Sequence, residues 1–137
     1  MEFIVDANIV FSILIKEGFN AKLFFHPKLI VYAPAYMLEE LKHYKEFLIS
    51  KTQRSDEELE WMLKALKSIM IIVPEEEYSQ FYEEAKKISP DPDDIQYFAL
   101  ALKLRCGIWS NDKELKKQSR IDIYDSKEVF DWLNWYA

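Results

Sequence analysis

Apolar residues along this chain fall in short unbroken runs, separated by stretches with helical spacing. The first run, residues 2–5, ends at Asp6, and apolar Ile9, Ile13 and Leu14 follow at the interval of one helix face. Strand, acid, helix is the predicted order. A second run, 29–32, ends at Pro34, which opens a predicted helix through about Ser50, since proline is tolerated only in a first helical turn. A helix from Ser55 or Asp56 to about Ser68 leads into the run at 69–73, the third predicted strand. Residues 75–88 read as helix, 94–105 as a helix apolar on nearly every side, and 108–109 as a short strand. A helix at 112–118, a strand at 121–124 and a C-terminal helix through Trp132 complete the pattern. Short, continuously apolar strands alternating with helices predict a parallel sheet covered on both faces. The expected fold is α/β, a three-layer α/β/α sandwich around a central, mostly parallel sheet. With 2 Gly and 5 Pro there is no linker, repeat or low-complexity tract, so one domain over 1–137 is expected.

Composition adds a cellular setting. A hydrophobic fraction of 50% with aromatics at 15% supplies a core without a covalent staple. The single Cys106 has no partner for an intramolecular disulfide, which predicts a reducing interior. The apolar N-terminus is interrupted by Asp6 and Asn8, so it resembles neither a secretion signal nor a membrane span. A cytoplasmic protein with no membrane partner is expected.

The formal net charge of -6 runs against a nucleic-acid binder, because such proteins usually gather phosphate with a basic surplus. A metal pocket changes that reading. Acids concentrated around divalent cations have their local sign reversed, and lysines elsewhere stay available to the backbone. Small basic groups exist at Lys42 with Lys45, at Lys51 with Arg54, and at Lys113, Lys116 and Lys117 with Arg120, each also compatible with a solvated helix face.

Parallel α/β sheets bind ligands beyond the carboxyl ends of their strands, so the acids matter by where they stand relative to those ends. Asp6 directly follows the first strand, and Asp112 follows the 108–109 strand after Ser110 and Asn111. Glu40 lies in the helix after the second strand, and Asp94 stands in the first turn of the most apolar helix. Ordinary explanations compete. Asp91, Pro92, Asp93 and Asp94 make a good helix start by themselves, and Asn111 or Asp112 could cap the helix that follows. Asp6 resists such an explanation, because a carboxylate ending a central buried strand is costly without a cation or several hydrogen bonds. Between two adjacent acids the helical wheel chooses Glu40. It falls at the edge of the apolar face formed by Met37, Leu41, Tyr44 and Leu48, whereas Glu39 falls nearly opposite. Several carboxylates in one pocket cannot all ionise near neutral pH without a hard divalent cation, and oxygen-only ligands select magnesium or manganese over zinc. His26 and His43 read as surface or packing residues, Cys106 as a small buried one, and neither a nucleophilic triad nor a glycine-rich phosphate loop is present.

Four segments together resemble the PIN domains, including the VapC-type toxins: 3–10, 38–41, 93–102 and 109–115, in an order and spacing that agree over nearly the whole chain. The resemblance puts Asp6, Glu40, Asp94 and Asp112 at the metal, with Asn8 and Ser110 as polar supports. Asp93 is an extra acid beside the matched Asp94, so the choice between them stays open. The implied activity is metal-dependent hydrolysis of single-stranded RNA with Mg2+ or Mn2+ as cofactor, leaving 5′ phosphates. Implied partners are the RNA, a second copy of the chain in a homodimer and, for the toxins, a small antitoxin. Lys113, Lys116 and Lys117 would be phosphate contacts. The competing readings are a non-catalytic PIN-like module and a receiver-like or haloacid-dehalogenase-like domain. The latter needs an acid two positions after the first, where this chain has Asn8.

Overall fold

A computed structural model describes residues 1–16, 18–52 and 54–136, with side chains through residue 134. Five strands form one sheet: β1 (Glu2–Val5), β2 (Ile30–Pro34), β3 (Ile71–Val73), β4 (Gly107–Trp109) and β5 (Ile123–Tyr124), in the order β3-β2-β1-β4-β5. Every pairing is parallel. The chain therefore builds outward from β1 through β2 to β3, then returns to the other side of β1 for β4 and β5. That reversal opens a crevice at the carboxyl ends of β1 and β4, the place where open parallel sheets hold ligands.

Two helical layers cover the sheet, as the alternating pattern requires. On one face α7 (Ile95–Leu104) packs across β1, β2 and β4, with α6 (Tyr82–Ile88) against it. Its residues from Tyr97 to Leu102 are all buried, which explains why the sequence is apolar on nearly every side. On the other face α1 (Ala7–Ile15) packs with α2 (Phe19–Phe24), α3 (Tyr36–His43), α4 (Lys45–Lys51) and α5 (Asp56–Ile69). The C-terminal α8 (Ser126–Tyr136) rests on α2 and β5. The chain is thus a three-layer α/β/α sandwich. No helix of the described residues is long and apolar enough to cross a membrane.

Several elements depart from the sequence pattern for local reasons. Pro34 ends β2 rather than opening a helix. It lies beyond Tyr32, the last β2 residue paired with β1, so its missing N–H costs nothing on that side. The expected single helix through Ser50 is broken at Tyr44, whose φ of -94° and ψ of 7° divide α3 from α4. Tyr44 is accordingly exposed instead of joining the apolar face. Residues 75–88 are helical only from Tyr82; before it, two short 3-10 turns surround Tyr78, buried and hydrogen-bonded to Gln96. The expected helix at 112–118 is a 3-10 turn over Lys113–Lys117, closed when Gln118 bonds the backbone of Leu115 and Ile121. Helix α2 had no counterpart in the pattern, because six residues are too few for a periodicity.

Gly107 explains how the edge strand closes. A Cβ there would stand 2.6 Å from Tyr124 Cε2 and 2.8 Å from the Asp122 carbonyl oxygen. Neither neighbour moves freely: Tyr124 packs edge-on against Phe3, and the Asp122 carbonyl accepts the Ile108 amide. Gly107→Ala is expected to destabilise the protein by about 1–3 kcal/mol through overpacking. Urea unfolding measures this, and wild-type stability in the variant would show that Tyr124 gives way at no cost.

Candidate active site

The crevice is organised by a buried acid. Asp6 follows β1, is 5% exposed, and receives the Ser110 hydroxyl on Oδ2 at 2.7 Å. Its backbone amide donates to the Trp109 carbonyl at 3.0 Å, extending the β1–β4 pairing by one residue. Burial pushes the Asp6 carboxyl up from its ordinary value; the Ser110 hydroxyl and the nearby amides of Asn8 and Ala7 pull it down, and Asp112 adds a like charge. Asp6, Ser110 and Ser126 are the buried polar side chains among the described residues, and the first two meet here.

Ser110 joins both strands' ends, because its oxygen also accepts the Asp112 backbone amide at 3.1 Å. Asp112 in turn accepts the Glu114 amide on Oδ1 at 3.0 Å, so it caps the 3-10 turn while standing within electrostatic reach of Asp6. The capping and site explanations of Asp112 are compatible in one residue. Asn8 is exposed on α1, and what reaches Asp6 is its backbone amide rather than its side chain.

Glu40 comes from the other direction, on α3. Its Oε1 accepts the hydroxyl of Tyr97 at 2.5 Å, a contact across 57 residues of sequence. Burial raises the Glu40 carboxyl, the Tyr97 hydroxyl lowers it, and Asp6 and Asp93 raise it again. Tyr97 is itself buried, and its phenol is pushed up first by that burial and then by Glu40. The sequence reading missed Tyr97; the only available signal was a hydroxyl in an otherwise apolar helix.

Asp94 stands at the start of α7, after a 3-10 turn at Pro92–Asp94 that Asp91 caps by accepting the Asp93 amide at 2.9 Å. Capping therefore falls to Asp91, which leaves Asp94 half-buried and facing the other acids. Its carboxyl is pushed up to about 7, by burial first, then by Asp6, Asp91, Asp112 and Glu40. Asp93 is exposed and bears on Glu40 and Tyr36. The four candidate carboxylates thus share one electrostatic field.

They do not form a closed cage. Among the described residues no three His, Cys, Asp or Glu side chains stand close enough to hold one ion in common. Asp6 and Glu40 are turned to Ser110 and Tyr97 instead. The chemistry of the donor set nevertheless fits a hard divalent cation: every donor is a carboxylate oxygen, and the raised Asp6, Glu40 and Asp94 carry charge that lacks a cationic neighbour among the causes of those shifts.

The basic stretch beyond Asp112 is partly engaged. Lys116 pairs with Glu128 at 2.6 Å and Asp125 at 3.8 Å, and Lys117 with Glu114 at 2.6 Å. Arg120 pairs with Glu84, while Lys113 is exposed.

A parallel α/β sheet with an acid-lined crevice at its strand-order reversal defines the class of protein. Residues 4–122 match the PIN domain family, and the chain belongs to it. The family is one of nucleases and RNA-binding proteins, whose nucleases typically use divalent metals. No curated protein matches the chain.

The Asp94 environment gives a pH dependence. The folded chain keeps a proton at Asp94 up to about 7, whereas the unfolded chain releases it near 3.8, so the folded state binds more protons between these values. In chelator, unfolding free energy should therefore fall as pH rises through that window. Asp94→Asn, neutral in both states, should flatten the fall. Denaturant unfolding at a series of pH values measures it, and an unchanged slope in Asp94→Asn would assign the dependence to other groups.

Proposed function

We propose that the chain is a metal-dependent endoribonuclease that hydrolyses phosphodiester bonds of single-stranded RNA. The observation that carries this reading is a set of four carboxylates in which Glu40, Asp94 and Asp112 each stand within electrostatic reach of the buried Asp6 at the carboxyl end of β1. These are the oxygen donors that Mg2+ or Mn2+ would take, although no three of them stand within reach of one ion as the side chains are turned. When bound, the cation neutralises the phosphate and lowers the pKa of a water.

The chain's own residues supply position. Ser110 fixes the Asp6 carboxylate and the Asp112 amide together, and Tyr97 fixes Glu40 from the opposite helical layer. Such supporting bonds hold carboxylates that would otherwise repel one another. Hydrolysis consumes one water: its oxygen bonds to phosphorus, the bond from phosphorus to the 3′ oxygen breaks, and that oxygen leaves with a proton. The products carry a 5′ phosphate and a 3′ hydroxyl. Lys113, Lys116 and Lys117 remain the phosphate contacts of this reading, since exposed ion pairs such as Lys116–Glu128 and Lys117–Glu114 are weak and yield to a phosphate. A toxin role with a small antitoxin and a homodimer rest on the motif resemblance, and a cytoplasmic setting rests on the lone Cys106.

Asp6→Asn is expected to abolish cleavage of labelled RNA in manganese or magnesium while leaving the fold intact, and Glu40→Gln to act similarly. Glu39→Gln should be near neutral, Glu39 being exposed on α3. A gel assay with each metal and with chelator reads all three, and retained cleavage by purified Asp6→Asn would remove the assignment. Wild-type protein that binds RNA but cleaves none in either metal would replace it with a binding-only module.

Metal should also stabilise the fold, since the native pocket binds it and the unfolded chain does not. The melting temperature of wild type should rise with manganese, and that of a variant lacking both Asp6 and Asp94 should hardly change. Equal shifts in both proteins would put the bound cation elsewhere.

A further inference from the structure

Beside Glu40 the surface opens into a cleft of about 860 Å3 that follows α3 to the start of α4, with Tyr36, His43, Tyr44, Lys42 and Asp93 on its walls. It shares Glu40 and Asp93 with the acid site, so a strand whose phosphate lies at the carboxylates has this cleft as an adjoining path. We propose that the cleft is a base-stacking subsite, in which an unpaired nucleobase next to the scissile phosphate lies on the ring of Tyr44. The inference rests on the nuclease reading and adds where the strand runs and what grips it.

The geometry of Tyr44 supports this. It stands at the break between α3 and α4 and is 45% exposed, although a straight helix would have turned it into the apolar face. Edge-to-face contacts hold the ring, at 5.4 Å and 74° from Phe11 and at 5.2 Å and 86° from His43. Phe47 adds a third at 6.4 Å and 76°. Among the described residues no ring stacks parallel on it. A braced, solvent-facing aromatic ring beside a phosphate site is what a stacking platform for single-stranded nucleic acid requires.

Tyr36 occupies the acid side of the same cleft. It lines the cleft together with Glu40, Asp93 and Tyr44, and its phenol is raised by burial and then by Glu40, Asp93, Asp94 and Tyr44. Lys45 is drawn across to α5 by Asp56 at 3.1 Å and Glu60 at 2.6 Å, which leaves the exposed Lys42 to meet phosphate on this wall. Stacking also answers the charge problem. It draws on dispersion and apolar contact rather than on net charge, so a chain of net charge -6 gains affinity for RNA without a basic surface. Because the platform takes only an unpaired base, it favours a single strand over a duplex.

The test exchanges the platform and the base separately. With manganese and a short single-stranded oligoribonucleotide, Tyr44→Leu is expected to raise KM about tenfold, the loss falling on KM rather than kcat, while Tyr44→Trp stays near wild type. Replacing one nucleotide beside the cleaved bond by an abasic one should cost wild type a similar factor and cost Tyr44→Leu nothing further. Circular dichroism checks that Tyr44→Leu is folded. Wild-type KM in a folded Tyr44→Leu, or abasic losses that add to that of the variant, would overturn the subsite while leaving the nuclease reading intact. If no RNA is cleaved at all, that reading fails by itself, and anisotropy of a labelled oligouridylate with magnesium still decides the subsite: a tenfold weaker affinity of Tyr44→Leu sustains it, and equal affinity overturns it.

Discussion

The parallel pairing of β1 with β4 is the constraint on which the molecule depends. It brings Phe3, Ile4 and Val5 beside Gly107, Ile108 and Trp109, and carries the two strand ends forward together into the crevice. There the buried Asp6 carboxylate meets the Ser110 hydroxyl, across 104 residues of sequence. A carboxylate at this depth would be costly without compensation, and the hydroxyl with the neighbouring amides supplies part of it. The close approach of these strands explains Gly107, where any side chain would collide with β5 and the turn before it.

The same crevice is where the fold works against its own stability. Asp6, Glu40 and Asp94 are each raised by burial and by at least one neighbouring carboxylate, so the crevice carries unfavourable charge that a packed core must hold in place. Two helices on opposite faces of the sheet do this. Helix α3 carries Glu40 and α7 carries Tyr97, and their hydrogen bond spans the layers. Tyr97 is oriented by the buried run of α7, beside Gln96, which accepts the hydroxyl of the equally buried Tyr78.

A polar network supports the β4 end from behind. The Ser126 hydroxyl accepts from Trp109 Nε1 and Asn111 Nδ2, both at 3.0 Å, and donates to Asn20 Oδ1 at 2.5 Å. Asn20 reaches on to Ser12 at 2.8 Å, so α1, α2, α8 and the segment bearing Ser110 and Asp112 are tied together. Each hydrogen-bonding capacity of the Ser126 hydroxyl is used, which lets it sit buried without penalty. The network holds Asn111, whose neighbours in the chain are the candidate residues Ser110 and Asp112.

Local pattern determined the layers. Apolar runs ending at Asp6 and at Trp109, and the uninterrupted apolar face of α7, already required a covered parallel sheet, since such segments cannot face water. Asp6 was legible as a candidate because an acid ending a buried strand has few structural uses, whereas Asp94 and Asp112 also read as ordinary helix starters. Residue pattern did not reach the break at Tyr44, the end of β2 at Pro34 or the 3-10 form of Lys113–Lys117, because each depends on what the next element bonds or covers. Nor could it separate the adjacent Asp93 and Asp94, of which the fold leaves the first exposed and the second half-buried within reach of Asp6. Tertiary structure alone decided the strand order, and with it the crevice. A carboxylate, a hydroxyl and a phenol become partners only when residues 57 to 104 positions apart are folded to within hydrogen-bonding distance, a relation that no local periodicity contains.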